Sequence, residues 1–296
     1  MKRFIGILIL SCLCFIASAQ QGKTPEQIQA EKDAQARAAK ATIDTVKTYG
    51  WKHSVVTGLN LTQVSFRDWV GGGDNALAYT AWLKGESVQD LEQTEWANSY
   101  RFAFGQTRLA SQGLRKTDDE IYLQTLLIYK LGTTVNPYIS ASLRTQFATG
   151  FNYSDTGSVP ISKFFDPAYL TQSVGIAYQP VTEVTTRLGV GAREVITSEF
   201  GQYYNHGEDK VQGGFEAITD VHWNFAENMT YTGKLEMFAA FKTLDEILVR
   251  SDNTISAKVN KYINVNFNVQ LINDVTASPL TQIREGLALG ISYILI

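Results

Sequence analysis

Ile263-Asn264-Val265-Asn266-Phe267-Asn268-Val269-Gln270-Leu271 sets an apolar side chain at every odd position and an amide at every even one. Side chains on an extended strand point alternately to opposite faces, so period two makes one face oily and the other polar. A helix of 3.6 residues per turn would scatter the asparagines onto its apolar side. The stretch is therefore read as a two-faced β-strand.

The same rhythm spreads in both directions. Phe215, Ala217, Thr219, Val221, Trp223 and Phe225 alternate with Glu216, Ile218, Asp220, His222 and Asn224. The chain ends on Leu287, Leu289, Ile291, Tyr293 and Leu295, set between the mostly small Ala288, Gly290 and Ser292 and then Ile294. Counted this way, about twelve segments follow Trp51: 52–63, 76–87, 94–109, 119–131, 137–147, 169–179, 183–195, 213–225, 229–240, 248–258, 262–272 and 284–295. Strands of soluble proteins run about 5 to 6 residues, whereas a tilted strand needs about 9 to 11 to cross a bilayer. Most of these segments reach the longer figure.

The connections between them alternate in length. Val88–Gln93, Gly132–Asn136, Pro180–Thr182, Ala226–Asn228 and Val259–Lys261 are short, while 64–75, 110–118, 148–168, 196–212, 241–247 and 273–283 are longer. Short periplasmic turns and longer outer loops are the asymmetry of outer-membrane barrels, and an even strand number is their rule in bacteria. Trp51, Trp69, Trp96, Tyr138, Tyr169, Trp223, Tyr231 and Tyr262 fall near segment ends, where interfacial girdles are expected.

Residues 1–19 are read as a signal peptide: Lys2 and Arg3, an apolar run from Phe4 to Ile16, then Ala17-Ser18-Ala19 ahead of Gln20. Cys12 and Cys14 both lie in that segment, so the exported chain is expected to have no thiol nucleophile, cysteine zinc site or disulfide. Loss of Lys2 and Arg3 moves the net charge from −3 to −5, which disfavours nucleic acid as a partner. Residues 20–50 are rich in Ala, Gln, Lys and Glu, with Thr24-Pro25-Glu26 as a helix start; a solvated periplasmic helical or disordered segment is expected there. No later apolar run is long enough for a membrane helix. In lipid only helices and closed barrels satisfy every backbone group. The fold class expected is thus all-β: a transmembrane antiparallel β-barrel over 51–296, in the outer membrane of a Gram-negative cell, its last strand closing on its first.

Trp51–Tyr79 reads WKHSVVTGLNLTQVSFRDWVGGGDNALAY. The opening Trp51, the Gly-Leu-Asn strand, and then Gln63, Trp69, Gly72, Gly73 and Asn75 resemble the start of the barrel family filed as domain of unknown function 3078. The resemblance implies an outer-membrane barrel of unassigned activity and offers no catalytic residues. The three glycines at 71–73 permit positive φ; a structured loop closing the first hairpin explains them more simply than a ligand site. No helix pattern follows them, as a phosphate site would require.

If the apolar face meets lipid, the other face lines the lumen. It would carry Arg144, Arg187, Arg193, Glu216, Asp220, His222, Lys234, Glu236, Arg250, Asp252 and Lys258. Buried charges are costly unless paired, so a network of ion pairs filling a narrow barrel is expected; a selectivity lining for a small-solute pore is the functional counterpart. Twelve-stranded outer-membrane phospholipases need a Ser two residues beyond a His. Here His53, His206 and His222 are followed at that distance by Val55, Glu208 and Asn224, so no catalytic residues and no enzyme are expected. His206-Gly207-Glu208-Asp209 lacks the convergent ligands of a tight metal site, and no cofactor is called for. Three functions stay open: a narrow pore or binding barrel for a small solute, a structural or adhesive barrel acting through loops 148–168 and 196–212, and, remotely, a hydrolase. The partners expected are outer-membrane lipid and either a small solute or a surface partner.

Overall fold

Ile263–Asn273 is a strand, and its two faces go where the alternation sends them. The exposed Phe267 lies on the outer wall, while Asn264, Asn266 and Asn268 hydrogen-bond to Ser292, Ser256 and Asp252 on the inner one. The computed structural model describes residues 50–65, 75–110, 113–154, 157–204, 211–275 and 280–294. The signal-peptide and N-terminal-helix expectations, and Trp69, Gly72, Gly73 and His206, lie outside those residues.

Twelve antiparallel strands close into one barrel. In chain order they are β1 (Trp51–Val64), β2 (Ala76–Asp90), β3 (Thr94–Leu109), β4 (Arg115–Tyr129) and β5 (Val135–Thr145), then β8 (Ala168–Val181), β9 (Val184–Ile196), β10 (Val211–Ala226), β11 (Met229–Ala240), β12 (Leu248–Lys258), β13 (Ile263–Asn273) and β14 (Gln282–Ile294). Each pairs with its sequence neighbour except across the gap from β5 to β8, and β14 closes on β1. The gap, read from the sequence as the plain loop 148–168, holds instead a separate hairpin, β6 (Gly150–Ser154) and β7 (Gly157–Ser162). One helical turn, α1 (Gly201–Tyr204), follows β9.

The turns 91–93, 130–134, 182–183, 227–228 and 259–262 gather at one end of the barrel and the longer connections at the other. The short-turn end is tied by local bonds. Leu131 N donates to Asn136 Oδ1 at 2.8 Å, and Gly132 takes a φ of 76° that a side chain would resist. Lys130 is ion-paired with Asp90 on the neighbouring hairpin.

The exterior is apolar around the ring: Ile139, Val174, Leu188, Phe215, Phe267 and Leu287 are all exposed. Aromatic side chains ring the short-turn end. Trp51 meets Trp96 with centroids 5.4 Å apart, Tyr262 stacks on Tyr293 at 6.4 Å, and Trp223 packs on Phe225 at 5.6 Å. Tyr138 and Tyr169 do not belong to that girdle. They share the parity of lumen-facing Ser140 on β5 and Ser173 on β8, and their rings lie under Arg187 and Arg193.

Candidate functional site: the lumen

Period two places every second side chain of each strand inside the barrel, and the inward set is charged. Across the lumen these charges form one connected belt. On β3, Arg101 holds Glu120 of β4 in a two-pronged ion pair, Nε–Oε2 2.8 Å and Nη2–Oε1 3.0 Å. Its remaining nitrogen, Nη1, reaches Asp252 on β12 at 3.0 Å. Asp252 also accepts from Asn268 at 2.7 Å and Gln270 at 3.0 Å on β13.

A second set of bonds crosses beside the first. Arg144 on β5 donates to Glu236 on β11 at 3.0 Å and lies 3.6 Å from Glu120. Lys234, also on β11, donates to the Tyr122 hydroxyl at 2.8 Å and lies 3.4 Å from Glu236 and 3.9 Å from Asp220. The Tyr122 ring packs against three cations at once: Arg101, Arg144 and Lys234, at 5.7, 4.8 and 4.8 Å from its centroid. A ring face attracts cations, so Tyr122 is the hub on which the belt turns. The strands joined, β3 to β12, β5 to β11 and β4 to β11, lie on different walls of the barrel. Removing any one partner leaves another charge uncompensated.

Of the residues read from the sequence, Arg144, Lys234, Glu236 and Asp252 sit in this belt. Arg187 is 1% exposed and donates to Asp220 at 2.8 Å. Glu216 lies buried nearby; its Oε2, with Nε and Nη1 of Arg187, lacks a hydrogen-bond partner among the described residues. Arg193 turns instead to Asp274 beyond β13, at 3.4 Å. His222 and Arg250 line cavities, and neither makes an ion pair among the described residues. Lys258 is exposed near the short-turn end. In the first hairpin, Gln63 pairs with Leu77, and Asn75 accepts a bond from Ala110 N at 2.7 Å. Arg101, Glu120 and Tyr122 were missed by sequence reasoning. Their signal was their inward parity on β3 and β4, shared with the residues that were chosen.

Two vestibules, with a small third cavity beside them, lie along the lumen about the belt. Toward the long loops lies a cavity of about 420 Å³, roofed by Phe151 and Tyr153 of the β6–β7 hairpin. Toward the short turns lies one of about 730 Å³, lined by Lys84, Glu86, Glu95 and His222 among others. Arg101, Lys234 and Asp252 line both.

The roof is anchored at two carboxylates. Asp119 accepts from Phe147 N at 2.7 Å and Ala148 N at 2.9 Å, and pairs with Lys116 at 2.8 Å. Asp166 binds the next long loop through Thr197 Oγ1 at 2.6 Å, Ser198 Oγ at 2.8 Å and Glu199 N at 2.9 Å. Burial alone would raise the Asp166 pKa; the donors on Thr197, Glu199 and Ser198 outweigh it and hold the carboxyl below its ordinary value.

On the outer wall, His53 Nδ1 lies 2.9 Å from Ser87 Oγ on the adjacent strand, a pair invisible to a search for His and Ser close in sequence. Among the described residues none hydrogen-bonds its far nitrogen, the place a triad's third member would take.

An even-stranded antiparallel barrel with apolar outer walls and a charged lumen has the fold of outer-membrane β-barrels. Residues 61–151 match the family described as protein of unknown function (DUF3078). That is the family the Trp51–Tyr79 motif resembled, and the match runs from β1 into the β6–β7 hairpin. No curated protein matches the chain. Solved structures similar to it include the translocator domain of autotransporter NalP from Neisseria meningitidis, at 13% identity over 90% of this chain and 97% of that one, with a TM-score of 0.37. An outer membrane channel from Pseudomonas putida F1 matches at 12% identity over 83% and 95%, with a TM-score of 0.41. The NanC porin matches at 9% identity over 81% and 97%, with a TM-score of 0.39.

Proposed function

We propose that the chain is an integral outer-membrane barrel with a closed lumen, which binds a small charged solute in the vestibule beneath its long loops and does not conduct freely. The observation that carries this is the belt of Arg101, Asp252, Arg144, Glu236 and Lys234, whose bonds cross between walls of the barrel. Membrane insertion follows from the exterior. Each Å² of apolar surface left in water costs about 25 cal/mol, and here such surface covers the outer wall. The short-turn end faces the periplasm on this reading, because short turns lie there in known outer-membrane barrels. No reaction is assigned.

The test is the full chain refolded into phosphatidylcholine vesicles. Resistance to urea extraction, with no swelling in small sugars, is expected. Extraction by urea would contradict the membrane reading, and rapid swelling would make the barrel an open pore.

A second reading, adhesion through the long loops, is favoured by Val159 and Phe164, which stand exposed in the β6–β7 hairpin and just beyond it. Removing residues 150–162 would then abolish surface capture while leaving the barrel folded.

A further inference from the structure

The seam that closes the barrel is laddered over only part of its length. β14 pairs with β13 from Gln282 to Ile291, but with β1 only from Gly290 to Ile294. On β1 the partners of that short run are Val56 to Asn60. Both strands continue toward the long loops, β1 as far as Val64 and β14 from its start at Gln282. Among the described residues, no ladder joins Leu61–Val64 to Gly286–Leu289.

Three side-chain observations agree with a gap. Gln282 to Leu287 are exposed at every position. A methyl group added at Gly286 would meet nothing within 4 Å. Asn60 Oδ1, at the point where pairing stops, is buried with no hydrogen-bond partner among the described residues.

The gap joins two different solvents. Outside it are Leu59, Leu61, Leu287 and Leu289, all exposed and apolar. On the inner side, Arg284 of β14 lines the 420 Å³ vestibule together with Arg250. The two arginines share the inner wall on either side of β13: Arg250 stands opposite Ile272, and Arg284 opposite Gln270. Arg284 is half exposed and reaches Asp118 Oδ2 at 3.3 Å and Thr117 O at 3.2 Å. Arg250 has no ion pair among the described residues.

We propose that the β1–β14 seam is a lateral opening for an anionic amphiphile. The headgroup enters the long-loop vestibule at Arg250 and Arg284, and the acyl chain lies between the strands against Leu61 and Leu289. Unpaired backbone in hydrocarbon is costly unless it lines a polar cavity, and Arg284, on the unpaired part of β14, lines one. A molecule that is charged at one end and apolar along its length fits both sides of the gap. The inference rests on the membrane reading above and names the ligand class of the same vestibule.

A photoreactive fatty acid with a diazirine in its chain tests it. The probe is added to the full chain in phosphatidylcholine vesicles, and the labelled residues are located by mass spectrometry. Labelling at 61–63 and 287–289 is expected to exceed that at Val174 and Leu188, on the far wall, by at least fivefold. Arg250→Gln with Arg284→Gln should erase the excess. The fatty alcohol of equal length should not show it.

Even labelling around the barrel would overturn the seam while leaving the membrane reading standing. Equal labelling by acid and alcohol would overturn the headgroup assignment. No labelling at Val174 or Leu188 would overturn the membrane reading itself. The wild-type pattern decides the matter even if the arginine variants fail to fold.

Discussion

Arg101 and Asp252, 151 positions apart in the chain, meet in the lumen with Nη1 3.0 Å from Oδ2. Neither strand adjoins the other, so the bond braces the barrel across its bore. It also depends on the barrel having closed. Arg101→Ala is expected to lower stability by about 2 kcal/mol, the scale of a hydrogen bond to a charged group. Arg101→Ala with Asp252→Ala should lose less than the sum of the two single variants, with a coupling of about 1 kcal/mol. Urea unfolding in vesicles, followed by tryptophan fluorescence, measures the cycle. Strict additivity would mean that the bond contributes nothing.

Asp119 fixes the root of the β6–β7 hairpin through two backbone N–H groups and Lys116. Asp119→Ala should leave the barrel folded, with its heat-dependent shift on SDS gels intact. Cleavage by added protease between residues 147 and 162 should rise about tenfold. Unchanged cleavage would show that the hairpin is held elsewhere.

Asp166 links two long loops, and its carboxyl is held below its ordinary value by donors on residues 197–199. A group whose folded pKa is depressed adds stability that is present above the unfolded value, here 3.8, and lost as pH falls through the folded one. Amide protection at 197–199 should therefore hold from neutral pH to about 4 and fall below it. Asp166→Asn should remove most of that pH dependence. A fall beginning near pH 6 would point to a different group.

His53 and Ser87 touch on the outer wall with no third orienting group among the described residues. His53→Ala should leave ester hydrolysis by the purified barrel at its wild-type level, measured with a chromogenic fatty ester. A loss above tenfold would make this pair catalytic.

The strands were legible because lipid outside and charge inside impose period two on a long run. β3, β11 and β12 have the bounds that alternation gives them. The β6–β7 hairpin was not legible. Gly150–Ser162 lies above the wall, where no face must be apolar, and its strands of five and six residues are too short to stand out beside the long runs of the wall. The lumen was half legible. Inward parity picks out Arg144, Glu236 and Asp252, but which charge meets which depends on the curvature of the closed barrel. Arg193, read from the sequence as a member of the lumen network, pairs with Asp274 in the loop after β13. The early stop of the β1–β14 ladder has no sequence signature, since Leu61 and Leu289 alternate as regularly as their neighbours.

The most direct test of the closed lumen is single-channel recording of the purified full chain in planar phosphatidylcholine bilayers. The belt predicts that the wild type inserts without steady conductance, and that Arg101→Ala with Arg144→Ala opens discrete steps. A wild type that conducts as an open ohmic pore, unchanged by those substitutions, would contradict it.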